Sequence, residues 1–253
     1  MIRETIMTGK MSGTMRLNKF ISNNGSIARR TAEEYIRQGR VTINNMTVTD
    51  PAFNIIENKD KVRVDGELVK TSRKKVYIVL NKPRKVISGV SDDKHRTTVT
   101  DLIKSKEKIF PVGRLDYDTS GLILLTNDGE FANRLMHPRY KVEKTYRVKL
   151  SKPIEEKHKL LIQKGVRLGR KVTAPAYISF INPKDKRYIN ITIHEGMNRQ
   201  VRKVFESFGY FVDKLERIKY GYLTLRGLAS GQWRHLEPKE IQSLTKICKP
   251  EEK

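Results

Sequence analysis

The N-terminal part of the chain changes between two periods of apolar and polar positions. Helical spacing is present at 17–21 and again at 28–36, with a break at 23–25. Short strand patterns follow, and a hairpin turn is predicted at 65–66. Two helices that lead into a small hairpin sheet are typical of a compact nucleic-acid-binding module, which we predict at 15–70.

A polar and basic segment at 71–75 suits a linker to a second domain, which we predict at 76–248. Strands are predicted at 76–80, 122–125, 144–148 and 189–193. Helices are predicted at 99–104, 129–136, 201–208 and from Pro238 onward. The mixture of short strands, helices and hairpins predicts an α+β fold, with a mixed, mainly antiparallel sheet and helices packed against it.

Charge is the most unusual property of the composition. Fifty-two Lys and Arg residues against 28 Asp and Glu give a formal net charge of +24 over 253 residues. Neutralising phosphates releases counterions, so we predict nucleic acid as the partner. A membrane surface is also polyanionic, but the sequence shows no long apolar stretch, basic amphipathic anchor or lipidation signal, so we predict no membrane.

The two ends of the chain carry further expectations. Residues 1–14 contain no apolar segment of the length that a secretion signal needs, so we predict a disordered extension on a cytoplasmic protein. Cys248 is the single cysteine, which excludes an intramolecular disulfide and a cysteine-cluster metal site. The five histidines are scattered, and we predict no metal site.

The segment 113–129 has the most distinctive local chemistry in the sequence. Its apolar run at 122–125 has no alternation, as expected of a strand that is buried on both faces. Asp116 and Asp118 precede this strand, so their carboxylates meet the edge of a core. An ionised carboxylate there needs a cation nearby, and Arg114 lies two residues away. We therefore take the segment as the candidate active site.

Residue type alone leaves other roles open for these aspartates. Aspartates favour turns and helix caps, so the pair could cap a loop without performing chemistry. The sequence of 118–121, Asp-Thr-Ser-Gly, is loosely similar to an aspartic protease motif, but that site needs two aspartates brought together by a repeat or a dimer. Asp116 and Asp118 could also hold magnesium in a nuclease, although no further acidic cluster completes such a site.

The string Gly-Arg-Leu-Asp-Tyr-Asp-Thr-Ser-Gly-Leu-Ile-Leu-Leu-Thr-Asn-Asp-Gly at 113–129 resembles the signature of the RsuA/RluB type of RNA pseudouridine synthases at every position. Asn-Lys-Pro at 81–83, Lys-Thr-Tyr-Arg-Val at 144–148 and Asn-Arg-Gln-Val-Arg at 198–202 resemble further segments of this family, in the expected order. The resemblance implies the same α+β fold and the isomerisation of uridine to pseudouridine, which needs no metal, redox change or nucleotide cofactor. It also implies that Asp116 is catalytic, either by attacking the anomeric carbon or by removing the neighbouring ribose proton.

The same resemblance implies which side chains surround the substrate. Tyr146 would face the active site and stack on the extruded base. Arg202 would pair with Asp116 and keep it ionised, with Arg199 as the alternative partner. A basic helix end that binds RNA phosphate is the other interpretation of these arginines. Arg114 would hold substrate phosphates, which supports affinity without choosing the uridine.

Two N-terminal segments resemble the helices of the S4-like RNA-binding domain, Arg-Leu-Asn-Lys-Phe-Ile at 16–21 and Arg-Arg-Thr-Ala-Glu at 29–33. That family usually has Ser where this chain has Ala28, and Ser26 is an alternative cap one turn earlier. A solvated helix face with paired charges is the competing interpretation. The predicted RNA-binding residues are Arg16, Lys19, Arg29, Arg30, Arg37, Arg40 and Arg199.

The segment 131–148 resembles the large-subunit enzymes of the family more closely than the small-subunit one. We therefore predict a uridine in large-subunit (23S) ribosomal RNA as the target, and ribosomal RNA or a pre-ribosomal particle as the partner of a monomer. A small-subunit (16S) target is the alternative. A protein from another class, a non-catalytic RNA-binding factor for ribosome assembly, would keep the same fold without isomerising RNA.

Overall fold

The protein forms two compact units, Met1–Lys74 and Lys75–Lys253, in a computed structural model. The structure describes residues 14–24, 27–57, 59–70 and 74–247. The division falls inside the predicted linker at 71–75, while the domain boundaries themselves stay a prediction. The predicted extension at 1–14 lies outside the described residues except for Thr14, which begins a strand instead of belonging to a disordered segment. Cys248 also lies outside them.

The N-terminal unit packs two helices and short strands around one small core. Its elements are β1 (Thr14–Arg16), α1 (Leu17–Asn24), α2 (Arg29–Arg37), β2 (Val41–Ile43), β3 (Met46–Thr47), β4 (Asn54–Ile56), β5 (Val62–Val64) and β6 (Glu67–Leu68). The order β3-β2-β5-β6 forms an antiparallel sheet, and β1 pairs with β4. Asp65 and Gly66 have φ values of 50° and 81°, as a tight hairpin turn requires, so the predicted turn is confirmed.

The start of α2 differs from the family pattern in its chemistry. The helix begins at Arg29, and the side chain of Ala28, which precedes it, forms no capping hydrogen bond. Ser26, the alternative cap, lies outside the described residues. The buried residues Ala32 and Ile36 pack α2 onto the core of the unit, so tertiary packing rather than a side-chain cap holds this helix.

The C-terminal unit contains the larger sheet. Its elements are β7 (Tyr77–Lys82), β8 (Phe110–Pro111), β9 (Ser120–Thr126), α3 (Gly129–Met136), a 3-10 turn (Pro138–Tyr140), β10 (Lys144–Leu150), α4 (Glu156–Lys164), β11 (Arg167–Leu168), β12 (Lys171–Val172), β13 (Tyr177–Phe180), β14 (Tyr188–Ile193), α5 (Gln200–Glu206), β15 (Val212–Tyr220), β16 (Leu223–Thr224), β17 (Trp233–His235) and α6 (Pro238–Ile247). The main path of the sheet runs β13-β14-β10-β15-β9-β7-β17. The pair β9 and β15 is parallel, and the other described pairs are antiparallel, so the predicted mixed, mainly antiparallel sheet is confirmed.

Strand β9 lies between two hydrophobic cores, which explains its unbroken apolar run. Ile123 and Leu125 belong to one core and Leu122 and Leu124 to the other, because successive strand residues face opposite sides of a sheet. Helix α5 contributes to the first core, and helices α3 and α6 contribute to the second. The prediction that this strand is buried on both faces is therefore confirmed.

One predicted helix is wrong. Residues 99–102 form turns, and 103–104 belong to no helix. The backbone at the start of this segment pairs with Ile87 instead, since Thr98 forms a bridge with Ile87 and Val99 donates its N–H to Ile87 O at 2.9 Å. Such a tertiary contact overrides a short local helix pattern. The helices predicted at 129–136 and from Pro238 are confirmed, the first with Asp128 as its N-cap. Within the described ranges, no helix is long and apolar enough to cross a membrane.

Candidate active site

The loop before β9 holds Asp116 in a fixed position at the edge of a pocket. Thr119 donates its backbone N–H to Asp116 O at 3.0 Å, which closes a turn around the aspartate. Ser88 Oγ accepts from Leu115 N at 3.1 Å and donates to Leu115 O at 2.9 Å. Both the backbone N–H and the backbone C=O of the residue before Asp116 are therefore hydrogen-bonded. The side chain of Asp116 remains 30% exposed, which leaves its carboxylate accessible from the pocket.

Gly121 fixes the other end of this loop by allowing two strands to approach each other closely. Its φ of +107° lies in the region that favours glycine, and a Cβ atom built there would lie 2.3 Å from Arg217 O. Arg217 is its direct neighbour in the parallel pairing of β9 and β15. The glycine of the sequence motif is therefore required by the contact between these two strands.

Two arginines from one segment approach the carboxylate of Asp116. Arg199 Nη1 lies 3.7 Å and Arg202 Nε lies 4.0 Å from Asp116 Oδ2. Arg202 is 9% exposed and donates Nη1–H to Val212 O at 2.7 Å. Burial, and then the positive charge of Arg199, lower the pKa of Arg202, while Asp116 partly offsets that effect. The structure thus brings both predicted partners to Asp116, and the choice of Arg202 as the main partner stays a prediction.

A hydrogen-bond network fixes the segment that carries these arginines. Gln200 donates Nε2–H to Glu195 Oε1 at 2.6 Å and accepts from Met197 N at 3.0 Å. Glu195 Oε1 also accepts from Ala174 N at 2.9 Å. Arg199, with a left-handed φ of 52°, then directs its side chain toward Asp116 at the start of α5. The network links the segment to the residues after β12, so the arginines have a rigid support.

Asp116 and Arg199 border a pocket of about 250 Å³ in the C-terminal unit. Tyr146, which is 9% exposed, lines it from β10, and Arg114 lines it from the loop before β9. The structure therefore places four of the predicted site residues together with Asp116: Arg114, Tyr146, Arg199 and Arg202. Asp118 points elsewhere, since its Oδ1 lies 3.8 Å from Arg84 Nη2 and its side chain is 56% exposed.

A buried lysine fixes the segment that follows β7. Lys82 at the end of β7 is fully buried, and its Nζ donates to Pro83 O at 2.9 Å and to Val86 O at 2.8 Å. Burial lowers the pKa of Lys82 to about 8, although Asp118 and Asp116 partly offset this effect. The lysine of the Asn-Lys-Pro segment is therefore a buried amino group whose charged form the two aspartates favour.

The other predicted RNA-binding residues lie in the N-terminal unit. Five of them are exposed: Arg16, Arg29, Arg30, Arg37 and Arg40. Lys19 is half-buried in α1. Arg40 is already engaged within the unit, because its Nε donates to Asp65 Oδ1 at 2.8 Å and its guanidinium lies 3.6 Å from the centre of the Tyr35 ring. Exposure fits contact with phosphate, and their role in RNA binding stays a prediction.

Sequence reasoning missed several polar residues of the pocket. Lys144 and Arg217 both line it, as do Gln200 and Glu195. Lys144 stands in the Lys-x-Tyr segment, two residues before Tyr146, and residues i and i+2 of a strand share a face. This spacing is the signal that could have identified Lys144 as a pocket residue. Arg217 has the same two-residue spacing from the buried Leu215, which is a signal that an arginine in a charged strand could face inward.

A pocket in which an aspartate lies next to arginines is typical of an enzyme that acts on a polyanion. Residues 76–207 match the family described as RNA pseudouridylate synthase, and residues 15–60 match the S4 domain. The chain therefore belongs to the RNA pseudouridylate synthase family, with an S4 domain before the catalytic domain. The predicted family, fold and enzyme class are confirmed, and RNA is the substrate of this family.

The similarity to known relatives and to a solved structure covers nearly the whole chain. The chain is 48% identical over 240 residues to ribosomal large subunit pseudouridine synthase B of Bacillus subtilis, with 92% of this chain and 96% of the relative covered. It is 36% identical over 237 residues to the dual-specificity RNA pseudouridine synthase RluF of Escherichia coli, with 92% and 79% covered. A crystal structure of a pseudouridylate synthase matches with a TM-score of 0.67 and 33% identity, covering 91% of this chain and 99% of that chain.

Proposed function

We propose that this enzyme isomerises a specific uridine of large-subunit ribosomal RNA, with Asp116 as the catalytic group. The choice of subunit rests on the similarity to the Bacillus subtilis relative, whose name refers to the large ribosomal subunit. The role of Asp116 rests on one observation: its carboxylate, which lines the same pocket as Tyr146, lies within 4.0 Å of two arginines.

The reaction breaks the bond between N1 of uracil and C1′ of ribose, and forms a bond from C5 to C1′ after the base has turned. Asp116 acts on the sugar, either by attacking C1′ or by removing the proton of the neighbouring ribose carbon, and both routes require its ionised form. Arg199 and Arg202 stabilise that form. The uridine must leave its stack, which costs a few kcal/mol, and stacking on Tyr146 offsets about 1 to 3 kcal/mol of this cost.

The remaining basic residues bind the RNA backbone. Arg114 lines the pocket and would hold phosphates next to the extruded nucleotide, while the exposed arginines of the N-terminal unit would contact phosphates elsewhere. Such contacts give affinity, and the choice of uridine comes from the shape of the RNA that fits the pocket. We further propose that the enzyme acts as a monomer in the cytoplasm.

The first test is tritium release from ribosomal RNA labelled at C5 of uridine, in metal-free buffer. We expect release by the native enzyme and by Asp118→Asn, but none by Asp116→Asn, which should still bind RNA. Asp118→Asn is a matched control because it makes the same change two residues away, at a carboxylate that faces Arg84.

The RNA must lack the modification, and large-subunit and small-subunit RNA are assayed separately. Release from large-subunit RNA alone supports the proposal, whereas release from small-subunit RNA alone would overturn the choice of subunit. If Asp116→Asn released tritium at the native rate, Asp116 would not be the catalytic group.

A further inference from the structure

We infer that Lys144 and Arg217 form a cationic subsite for the uracil ring, which stabilises the negative charge that the base carries while its bond to ribose is broken. Both residues line the pocket that contains Asp116. The inference rests on the proposed function, because it assigns a role within that reaction.

The strand register places both cations beside Tyr146. Lys144 precedes Tyr146 by two residues on β10, so the two side chains share a face of the sheet. Arg217 on β15 lies directly across from Tyr146, and Tyr220 lies across from Lys144. Residues that face each other across a ladder also share a face. A base that stacks on Tyr146 therefore has one cation along the strand and another across it, both within reach of its polar edge.

Both cations keep donor capacity that the protein does not use. Arg217 is 3% exposed and donates Nε–H to Leu122 O at 2.7 Å, but its buried Nη2 has no hydrogen-bond partner among the described residues. Lys144 Nζ donates to Val142 O at 2.9 Å, and an ammonium has three protons to donate. Buried donors without partners are rare in proteins, and in a catalytic pocket they are the groups that a ligand would meet.

The charges around Lys144 favour a negatively charged ligand. Burial, and then the positive charge of Arg217, lower the pKa of Lys144 to about 8, and Glu195 offsets only part of that effect. Both cations also lie over the ring of Tyr220, at 5.5 Å for Lys144 Nζ and 5.0 Å for Arg217 Cζ. Two neighbouring cations in a partly desolvated pocket repel each other, and an anion bound between them would reduce this repulsion.

The reaction supplies such an anion. When the bond between C1′ and N1 breaks, the electron pair stays with N1, and the charge spreads over the two carbonyl oxygens of uracil. This happens whether Asp116 attacks the sugar or removes its proton. Cations fixed near those oxygens stabilise the charge as it develops, which lowers the barrier more than it strengthens binding of the neutral base.

The test compares Lys144→Met with the native enzyme on two RNA substrates, one with uridine and one with 5-fluorouridine at the target position. Fluorine withdraws electrons, so fluorouracil leaves more easily and needs less stabilisation. Single-turnover loss of the target nucleoside is followed by nuclease digestion and chromatography. We expect the variant to be slower by about 100-fold on uridine, as for loss of one charge-stabilising donor, with a smaller loss on 5-fluorouridine.

Three variants serve as controls. Lys144→Arg keeps the positive charge and should recover much of the rate. Lys149→Met removes a lysine from the other face of the same strand, which contacts Asp213, and should leave the single-turnover rate unchanged. Asp116→Asn should be inactive on both substrates, which separates failure of this inference from failure of the proposed function. The thermal midpoint of Lys144→Met should change little, because a half-buried charge is replaced by an apolar side chain of similar length.

Equal losses on uridine and 5-fluorouridine would overturn the inference, because stabilisation of the leaving base would then not be involved. A variant with an unchanged single-turnover rate and weaker, less salt-dependent RNA binding would also overturn it, and would assign Lys144 to a backbone phosphate instead.

Discussion

At the scale of single residues, the exposure of each cation decides how strongly it acts on Asp116. The distances to Arg199 and Arg202, 3.7 and 4.0 Å, do not separate the two arginines. Their side chains differ in exposure, 47% for Arg199 and 10% for Arg202. Water and salt screen an exposed pair, whereas a buried charge without its partner costs several kcal/mol. Arg202 should therefore be the stronger partner.

Replacing each arginine by glutamine tests this difference. We expect Arg199→Gln to lower kcat by about fivefold, the order of an exposed ion pair. Arg202→Gln should lower kcat by about 100-fold or more, since it leaves a partly buried carboxylate with a single exposed cation. Steady-state kinetics on unmodified ribosomal RNA measures both values. Circular dichroism serves as a control for folding, because Arg202 also bonds Val212 O. Equal losses for the two variants would contradict the argument from exposure.

The sequence predicts some of these residues much better than others. The motif around Asp116 and the positions of Tyr146 and Arg202 could be read from the resemblance. The structure places Tyr146 in the pocket of Asp116 and Arg202 within 4.0 Å of its carboxylate. Arg217 could not be read in this way, because an inward-facing arginine in a charged strand looks like surface charge until its partner strand is known. Its neighbours, Tyr146 across one ladder and Gly121 across the other, are distant in sequence.

At the scale of elements, the site depends on the parallel contact between β9 and β15. The unbroken apolar run predicts that β9 is buried on both faces, but it does not predict which strand lies beside it, because pairing joins residues far apart in the chain. The contact places Gly121 against the backbone of Arg217 and orients the loop that carries Asp116. The incorrect helix at 99–104 has a similar cause, since Thr98 and Val99 pair with the backbone of Ile87, a contact that the local pattern does not reveal.

Gly121→Ala should show how much this contact contributes to stability. The added methyl group would overlap Arg217 O at 2.3 Å in a left-handed conformation, so we expect a loss of about 3 kcal/mol in the free energy of unfolding. Gly169→Ala is the matched control, because Gly169 also has a positive φ of 62° but no heavy atom within 4 Å of the added methyl group. Its expected loss is about 1 kcal/mol.

Denaturant unfolding of both glycine variants measures the difference. If the two substitutions cost the same, backbone strain alone would explain the requirement for Gly121, and the close approach of β9 and β15 would contribute nothing. A larger loss for Gly121→Ala, together with lower activity at temperatures where the variant is still folded, would link the strand contact to the position of Asp116.

At the scale of the whole molecule, the cations behind the net charge of +24 include two groups that differ in burial. In the catalytic unit, Arg202 and Arg217 are buried and Arg199 lies 3.7 Å from Asp116, so we expect these cations to act on the chemistry. The arginines of α2 are exposed on a separate unit, and Arg29 Nε, for example, lies 3.8 Å from Glu33 Oε1. Composition predicts the polyanionic partner correctly, but it cannot assign a cation to either group, because that depends on burial.

This division predicts that removing arginines from α2 weakens RNA binding without changing the chemical step. The combined variant Arg29→Ala, Arg30→Ala and Arg37→Ala removes three exposed charges, so the slope of log K against log salt should become shallower by about 2 to 3 units, and kcat at saturating RNA should stay unchanged. The variant Lys164→Ala, Arg170→Ala and Lys171→Ala removes the same charge from exposed positions of the catalytic unit and controls for net charge. If both triple variants changed the slope equally, the S4 domain would bind RNA only through the overall field of the protein, and the predicted phosphate contacts of α2 would be wrong.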